Sequence, residues 1–345
     1  MAQNPYTLVF GKEPQQMISR IVQSEQVEDA FCEETPTQQV FIITGVRGSG
    51  KTVFMTDISA KLRQRKEWIV IELNPEKDLL ESLAAKLSSD HLLAKIFQNA
   101  QINLSFFGLG LAVSNIAPIT DIEVALARML ESLKKQGKRL LVTIDEALST
   151  ESMRIFAGAF QIFVRQELPI YLLMTGLYEN INALQNEKNL TFLYRAPKIA
   201  LKPLNIGTIC ENYKRVLRLD EETALRMARL TKGYSFAFQV LGYLLWKNGG
   251  DADSVIQPYR QYLEEYAYEK IWSELSRNDR RVIYGIANVE SGKIADIREF
   301  LDMQTNEFNP YRKRLLRKGL VDGDERGYVR CTLPLFEQFV LENYA

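Results

Sequence analysis

Gly45, Val46, Arg47, Gly48, Ser49, Gly50, Lys51 and Thr52 spell G-x-x-x-x-G-K-[ST], and this run constrains the chain more than any other feature. Residues 39–44 (QVFIIT), just before it, are an apolar, β-branched run that predicts a buried strand, and residues 51–66 predict a helix. The strand–loop–helix setting separates a phosphate loop from an ordinary glycine-rich turn. Glycines let backbone amides turn inward into an anion nest, and the helix N-terminus adds positive potential. Lys51 supplies a point charge for the β- and γ-phosphates, and the Thr52 hydroxyl suits Mg²⁺.

The alternation continues downstream. Residues 68–73 (WIVIEL), 139–144 (RLLVTI), 170–175 (IYLLMT) and 198–201 read as further strands. Helical patterns fill 79–88, 92–99 and a stretch from the N-cap Asp121 to about residue 136. Strands apolar on both faces and separated by helices imply an α/β fold with a parallel sheet covered on both sides. Residues 104–113 break the rhythm and read as a small hairpin or exposed strand within an insertion spanning 102–119, to which no role is assigned; the plainer reading is an insertion packing on the sheet edge. From residue 205 the pattern is helical (206–217, 221–231, 236–247, 253–275), which predicts a separate helical subdomain.

A phosphate loop needs acids to hydrolyse what it binds. Residues 140–146 form an apolar strand ending in Asp145 and Glu146. Asp145 is placed to hold Mg²⁺ and Glu146 to polarise the attacking water as general base. Acids at a strand end often just cap the next helix, where negative charge is favourable anyway. The two motifs together, rather than either alone, point to NTP hydrolysis.

The order phosphate loop, Asp-Glu strand, then a strand ending in a polar residue resembles the AAA+ ATPases, in particular the branch with replication-initiator-like ATPases and STAND signalling NTPases. The resemblance covers about residues 1–250 and implies ATP with Mg²⁺, since no base-reading motif is visible in the sequence. It puts Thr175 at the sensor 1 position, facing the γ-phosphate or water. Arg195, just before the last strand, falls where an arginine finger would act on a neighbouring subunit, implying self-association; the plainer reading is a surface arginine. Residues 201–204 resemble the link to the lid, and residues 233–239 (GYSFAFQ) the start of a lid helix. Two positions depart from the pattern: no arginine stands at sensor 2, and Ser235 stands where STAND members carry proline. In the same family the segment before the first strand packs on the adenine, with residues 18–22 as the expected contact.

The tail has its own texture. Helical patterns over 276–287, 293–301 and 310–318, a hairpin over 320–332 and a last helix over 335–344 resemble a winged helix-turn-helix. Asn309 suits the N-cap and Pro310 the first position of its third helix. Tyr311, Leu315 and Leu316 share one face of that helix, and Lys313, Arg314, Arg317 and Lys318 fall opposite, as phosphate contact along double-stranded DNA requires. A solvated surface would look the same, and residues 269–345 hold thirteen basic and thirteen acidic side chains. Tyr259, Tyr262, Tyr266, Tyr268 and Trp272 are expected to pack between lid and tail.

Composition bounds the rest. The 345 residues, 46% hydrophobic, allow two or three domains. The domain boundaries expected are 1–38 (a segment near the adenine), 39–204 (ATPase core), 205–268 (helical lid) and 269–345 (winged helix). Lys plus Arg and Asp plus Glu both number 43, so no global charge argues for nucleic acid or membrane. Three scattered cysteines and a single histidine, His91, make a zinc site implausible and suit a reducing compartment. With no leader pattern and no membrane-length apolar run, a cytoplasmic protein is expected. The expected function is an ATP-binding, ATP-hydrolysing, nucleotide-controlled protein that contacts DNA through its tail. The alternative is a regulatory switch whose winged helix packs within the chain or binds a protein.

Overall fold

The computed structural model describes residues 3–9, 14–111, 113–188 and 190–344, so residues 10–13 of the amino-terminal segment lie outside the described part. The chain forms two compact units. A sheet unit comprises residues 20–44 and 51–200, and a helical unit comprises 1–19, 45–50 and 201–345.

In the sheet unit, β1 (Val40–Thr44), β2 (Trp68–Leu73), β3 (Arg139–Ile144), β4 (Ile170–Gly176) and β5 (Lys198–Ala200) pair in the order β2-β3-β4-β1-β5. Every pairing is parallel, with Ile43 beside Thr175 and Val142 beside Leu172. The helices are α1 (Ile21–Cys32), α2 (Lys51–Arg63), α3 (Leu79–Ser89), α4 (His91–Asn99), α5 (Ile122–Lys135), α6 (Glu151–Arg165), α7 (Tyr178–Gln185) and α8 (Thr191–Arg195). Side chains alternate along each strand, so the sheet has two apolar faces. On one, Ile42, Val142, Leu172 and Met174 pack in a core with residues of α3, α5 and α6. On the other, Phe31 of α1 lies 5.4 Å from Phe41 and 5.2 Å from Tyr171, with Trp68 4.9 Å from Tyr171, ring centre to ring centre.

Asp121 caps α5 as expected, accepting the N–H groups of Glu123 and Val124 at 2.8 and 3.0 Å. Residues 104–113 depart from the expectation: Ser105–Phe107 form a single 3₁₀ turn, and no strand forms there among the described residues. The buried Asn103 side chain donates to Ile116 O at 2.6 Å and accepts Ser105 N–H at 3.0 Å, satisfying groups that a strand ladder would otherwise use. Leu104 and Leu111 point into the core while Phe106 is 62% exposed.

The helical unit holds α9 (Ile206–Leu217), α10 (Glu221–Leu230), α11 (Ser235–Lys247), α12 (Ile256–Leu263), α13 (Glu269–Ser273), α14 (Arg277–Asn288), α15 (Ile294–Leu301), α16 (Thr305–Lys318) and α17 (Phe336–Asn343), with a hairpin of β6 (Val321–Asp322) and β7 (Arg330–Cys331) before α17. One continuous apolar cluster runs from Tyr6 through α9 and α11 to Phe308, Leu315 and Phe339. Tyr6 seals one end: its ring lies against Phe238 and its hydroxyl donates to Asn212 Oδ1 at 2.7 Å. Gly242 makes room for it, since a Cβ there would come within 2.5 Å of the ring.

Two helices differ from the sequence expectation. The stretch read as one helix over 253–275 contains a π-helical turn, Glu264–Tyr268, between α12 and α13. The wider turn shifts the register, so Tyr259 and Tyr268 are buried while Tyr266 is 65% exposed. Tyr268 donates its hydroxyl to Pro334 O and meets the Phe336 ring at 4.9 Å, the packing role expected of the stripe. The third helix of the tail begins at Thr305 instead of residue 310. Gln304 and Glu307 form a capping box, and Phe308 is fully buried, which together carry the helix past Pro310.

Candidate active site

Thr52 lies in the first turn of α2, and Asp145 follows the carboxyl end of β3. The Thr52 hydroxyl donates to Asp145 Oδ2 at 2.8 Å, and the buried Thr175 hydroxyl, at the end of β4, donates to Asp145 Oδ1. Thr175 also accepts the Glu146 N–H at 3.0 Å, and its carbonyl accepts Ala147 N–H at 2.8 Å. Glu146 itself sits at φ 51, a left-handed conformation that a non-glycine residue adopts only under constraint. Thr175 supplies that constraint and leaves the Glu146 side chain exposed. The sheet unit therefore gathers Thr52, Asp145, Thr175 and Glu146 beyond the strands' carboxyl ends, where open α/β sheets bind ligands. Lys51 is buried at the start of α2.

Arg195, the last residue of α8, is exposed and makes no ion pair among the described residues. Ile21 and Val22, within the stretch expected on the adenine, are 60% and 76% exposed. Ile18 is partly buried against the core of the helical unit.

Within the helical unit, the loop 45–50 meets the start of α11. Tyr234 Oη donates to Arg47 O at 2.6 Å, Phe236 N–H to Gly48 O at 3.1 Å, and Ser235 Oγ to Ser49 O at 2.9 Å. Gly48 lies at φ 75, and a Cβ there would fall 2.3 Å from Tyr234 Oη, so position 48 demands glycine twice over. Ser49 N–H closes the turn onto Val46 O at 3.1 Å. Burial pushes the Tyr234 phenol above its ordinary value, with the nearby Arg47 charge opposing in part, so it stays a donor. The Arg47 guanidinium pairs with Glu274, after α13, at 3.1 Å, and Val46 lies 3.8 Å from the Cβ position of Gly319, which ends α16. In the sequence Tyr234 and Ser235 stand at the start of a lid helix, and no pattern ties them, or Glu274, to the loop.

The tail's four basic candidates part company. Arg314 is engaged with the buried Asp279, Nε to Oδ1 at 2.8 Å, donates to Ser276 Oγ at 3.1 Å and lies 5.2 Å from the centre of the Tyr311 ring. Lys313 and Arg317 are exposed, and Lys318 is half-buried. Val321 pairs with Cys331 and Asp322 with Arg330 in the hairpin, which is joined by a bridge between Lys293 and Tyr328.

Residues 20–175 match the KAP family P-loop domain, and residues 265–340 match a domain of unknown function. No curated protein matches the chain. Among solved structures, a Walker-type ATPase of Pyrococcus abyssi is similar with a TM-score of 0.64 and 17% identity, over 94% of this chain and 96% of that one. The ORC2 protein of Aeropyrum pernix, in ADPNP–ADP complexes, is similar with a TM-score of 0.61 and 14% identity, over 97% of this chain and 95% of that one. The fold is that of the P-loop NTPases: an α/β parallel sheet with a helical region after it. The Pyrococcus abyssi Walker-type ATPase and the Aeropyrum pernix ORC2 protein share that fold. Among the described residues, no helix is long and apolar enough to cross a membrane.

Proposed function

We propose that the chain binds ATP with Mg²⁺ and hydrolyses it slowly, with the bound nucleotide setting the state of its carboxyl-terminal helices. The observation that carries this reading is Asp145, held through both carboxylate oxygens by the Thr52 and Thr175 hydroxyls beside Glu146. Thr52 and Asp145 are hard oxygen donors of the kind Mg²⁺ takes. The described residues contain no cluster of three or more acidic, His or Cys side chains, so remaining ligands would come from phosphate and water, as is usual for this ion. When bound, Mg²⁺ neutralises charge on the phosphates. Glu146 is the proposed base, Lys51 the phosphate cation, Thr175 the group that positions both acids, and Arg195 a finger acting on a second copy. The ADPNP–ADP complexes of the Aeropyrum pernix relative support an adenine nucleotide.

For the output we favour double-stranded DNA contacted by a winged helix, its phosphates met by Lys313 and Arg317 with Lys318 behind them. A specific observation favours a second reading, an internal switch: Arg47 pairs with Glu274, and Gly319 of the tail lies against Val46. The test is steady-state ATP hydrolysis by wild type and Glu146→Gln with and without duplex DNA, alongside binding of labelled duplex at two salt concentrations. DNA-stimulated turnover that the variant loses, with salt-sensitive binding, supports the DNA reading. Nucleotide binding with no DNA affinity selects the switch, and absence of nucleotide binding overturns both.

A further inference from the structure

Three consecutive carbonyls of the loop, those of Arg47, Gly48 and Ser49, are each taken by one of three consecutive residues at the start of α11. A trans peptide is rigid and planar, with its C=O and the following N–H on opposite sides. Among the described residues no peptide is cis. Fixing the Arg47 and Ser49 carbonyls toward α11 therefore fixes the Gly48 and Gly50 N–H groups toward the other side. The intervening N–H, of Ser49, is used by the turn itself. Two of the three donors are side-chain hydroxyls, from Tyr234 and Ser235, so this hold depends on residue identity and not on helix geometry alone. Tyr234 is buried and stays protonated, which makes its hold independent of pH over the working range.

We infer that Tyr234 and Ser235 are positioning residues for phosphate: by holding the carbonyls of the loop they aim its Gly48 and Gly50 amides at the phosphate chain of a bound nucleotide. The inference rests on the nucleotide-binding reading above and assigns the geometry of that loop to a helix start 186 to 188 residues downstream. The loss of a given hydroxyl should weaken every phosphate-bearing ligand by the same factor, whatever its base, since the hold acts on the loop and not on the nucleobase.

The experiment compares full-length wild type, Tyr234→Phe, Ser235→Ala and Ser235→Thr by calorimetric titration with Mg·ATP, Mg·ADP and tripolyphosphate. Amide hydrogen exchange over residues 45–50 is measured without nucleotide on the same proteins. Losing a buried donor should weaken all three ligands in Tyr234→Phe by a common factor of roughly ten, with a smaller loss in Ser235→Ala and recovery in Ser235→Thr. The Gly48 and Gly50 amides should exchange faster in Tyr234→Phe. A merely structural role would lower the melting temperature and leave the dissociation constants of the folded protein unchanged, and that result overturns the inference. If wild type binds none of the three ligands, the proposed function falls, while the exchange rates still report whether the hydroxyls hold the loop.

Discussion

Asp145 and the loop 45–50 are both held by hydroxyl groups, yet the two holds fix different things. At Asp145, the Thr52 and Thr175 hydroxyls grip a charged side chain, and Thr175 reaches past it to the backbone of Glu146. At the loop, Tyr234 and Ser235 grip backbone carbonyls and leave side chains alone. On the proposed function the first arrangement serves chemistry, because it orients a carboxylate and the acid next to it. On the same reading the second serves recognition, because it orients dipoles. Substitutions at the acids should therefore cost turnover at unchanged affinity, and substitutions at the loop should cost affinity first.

The sharpest break of that division is Glu146→Gln, which removes the proposed base and little else. Its kcat should fall by about 10²–10⁴-fold while the nucleotide dissociation constant holds, as read by turnover and titration on one preparation. Next comes Gly48→Ala, where the added methyl meets the Tyr234 hydroxyl. Affinity for Mg·ATP should drop by roughly a hundredfold, since overpacking and a left-handed alanine each cost about 1–3 kcal/mol. Unchanged affinity would mean the loop is less constrained than described. Thr175→Val keeps the shape and removes the hydroxyl, leaving an Asp145 oxygen and the Glu146 N–H without their partner. It should lower kcat by about tenfold and unfolding stability by about 1–3 kcal/mol, with Thr175→Ser restoring both. A fall in affinity without a fall in kcat would erase the contrast between the two sites. The smallest effect belongs to Lys313→Glu and Arg317→Glu: each should reduce duplex binding a few-fold and flatten the salt dependence by about one phosphate contact, with ATP turnover untouched.

The sheet was legible because its signals are local. Each strand is an apolar run of fixed length, and Asp145–Glu146 and Gly45–Thr52 stand at strand ends, so one window of sequence holds both the element and its chemistry. Thr175 could be placed by resemblance, though its bonds to two residues thirty positions away could not. The helical unit was less legible for the converse reason. Residues 253–275 do not run as one α-helix because of a π-turn at Glu264–Tyr268, and no local pattern in the sequence marks it. The start of α16 is masked in the sequence because Asn309–Pro310 imitates a helix opening, while the capping box of Gln304 and Glu307 begins five residues earlier. Arg314 read as one of four equivalent basic residues, and only the fold shows the buried Asp279 that claims it. Tyr234 had no local reason to be tied to Arg47.

The division of the chain has a consequence for how it is made. The helical unit is assembled from three separate pieces, and the sheet unit is threaded between the first and last of them. On a ribosome, residues up to 200 emerge first, so the sheet unit is the part able to fold while synthesis continues. Tyr6 is made before Gly242 and its neighbours, and must wait for them before it has anywhere to go. The phosphate loop is in the same position, since the hydroxyls that hold it belong to the opening of α11. Its backbone reaches its final shape only once the start of α11 has been made.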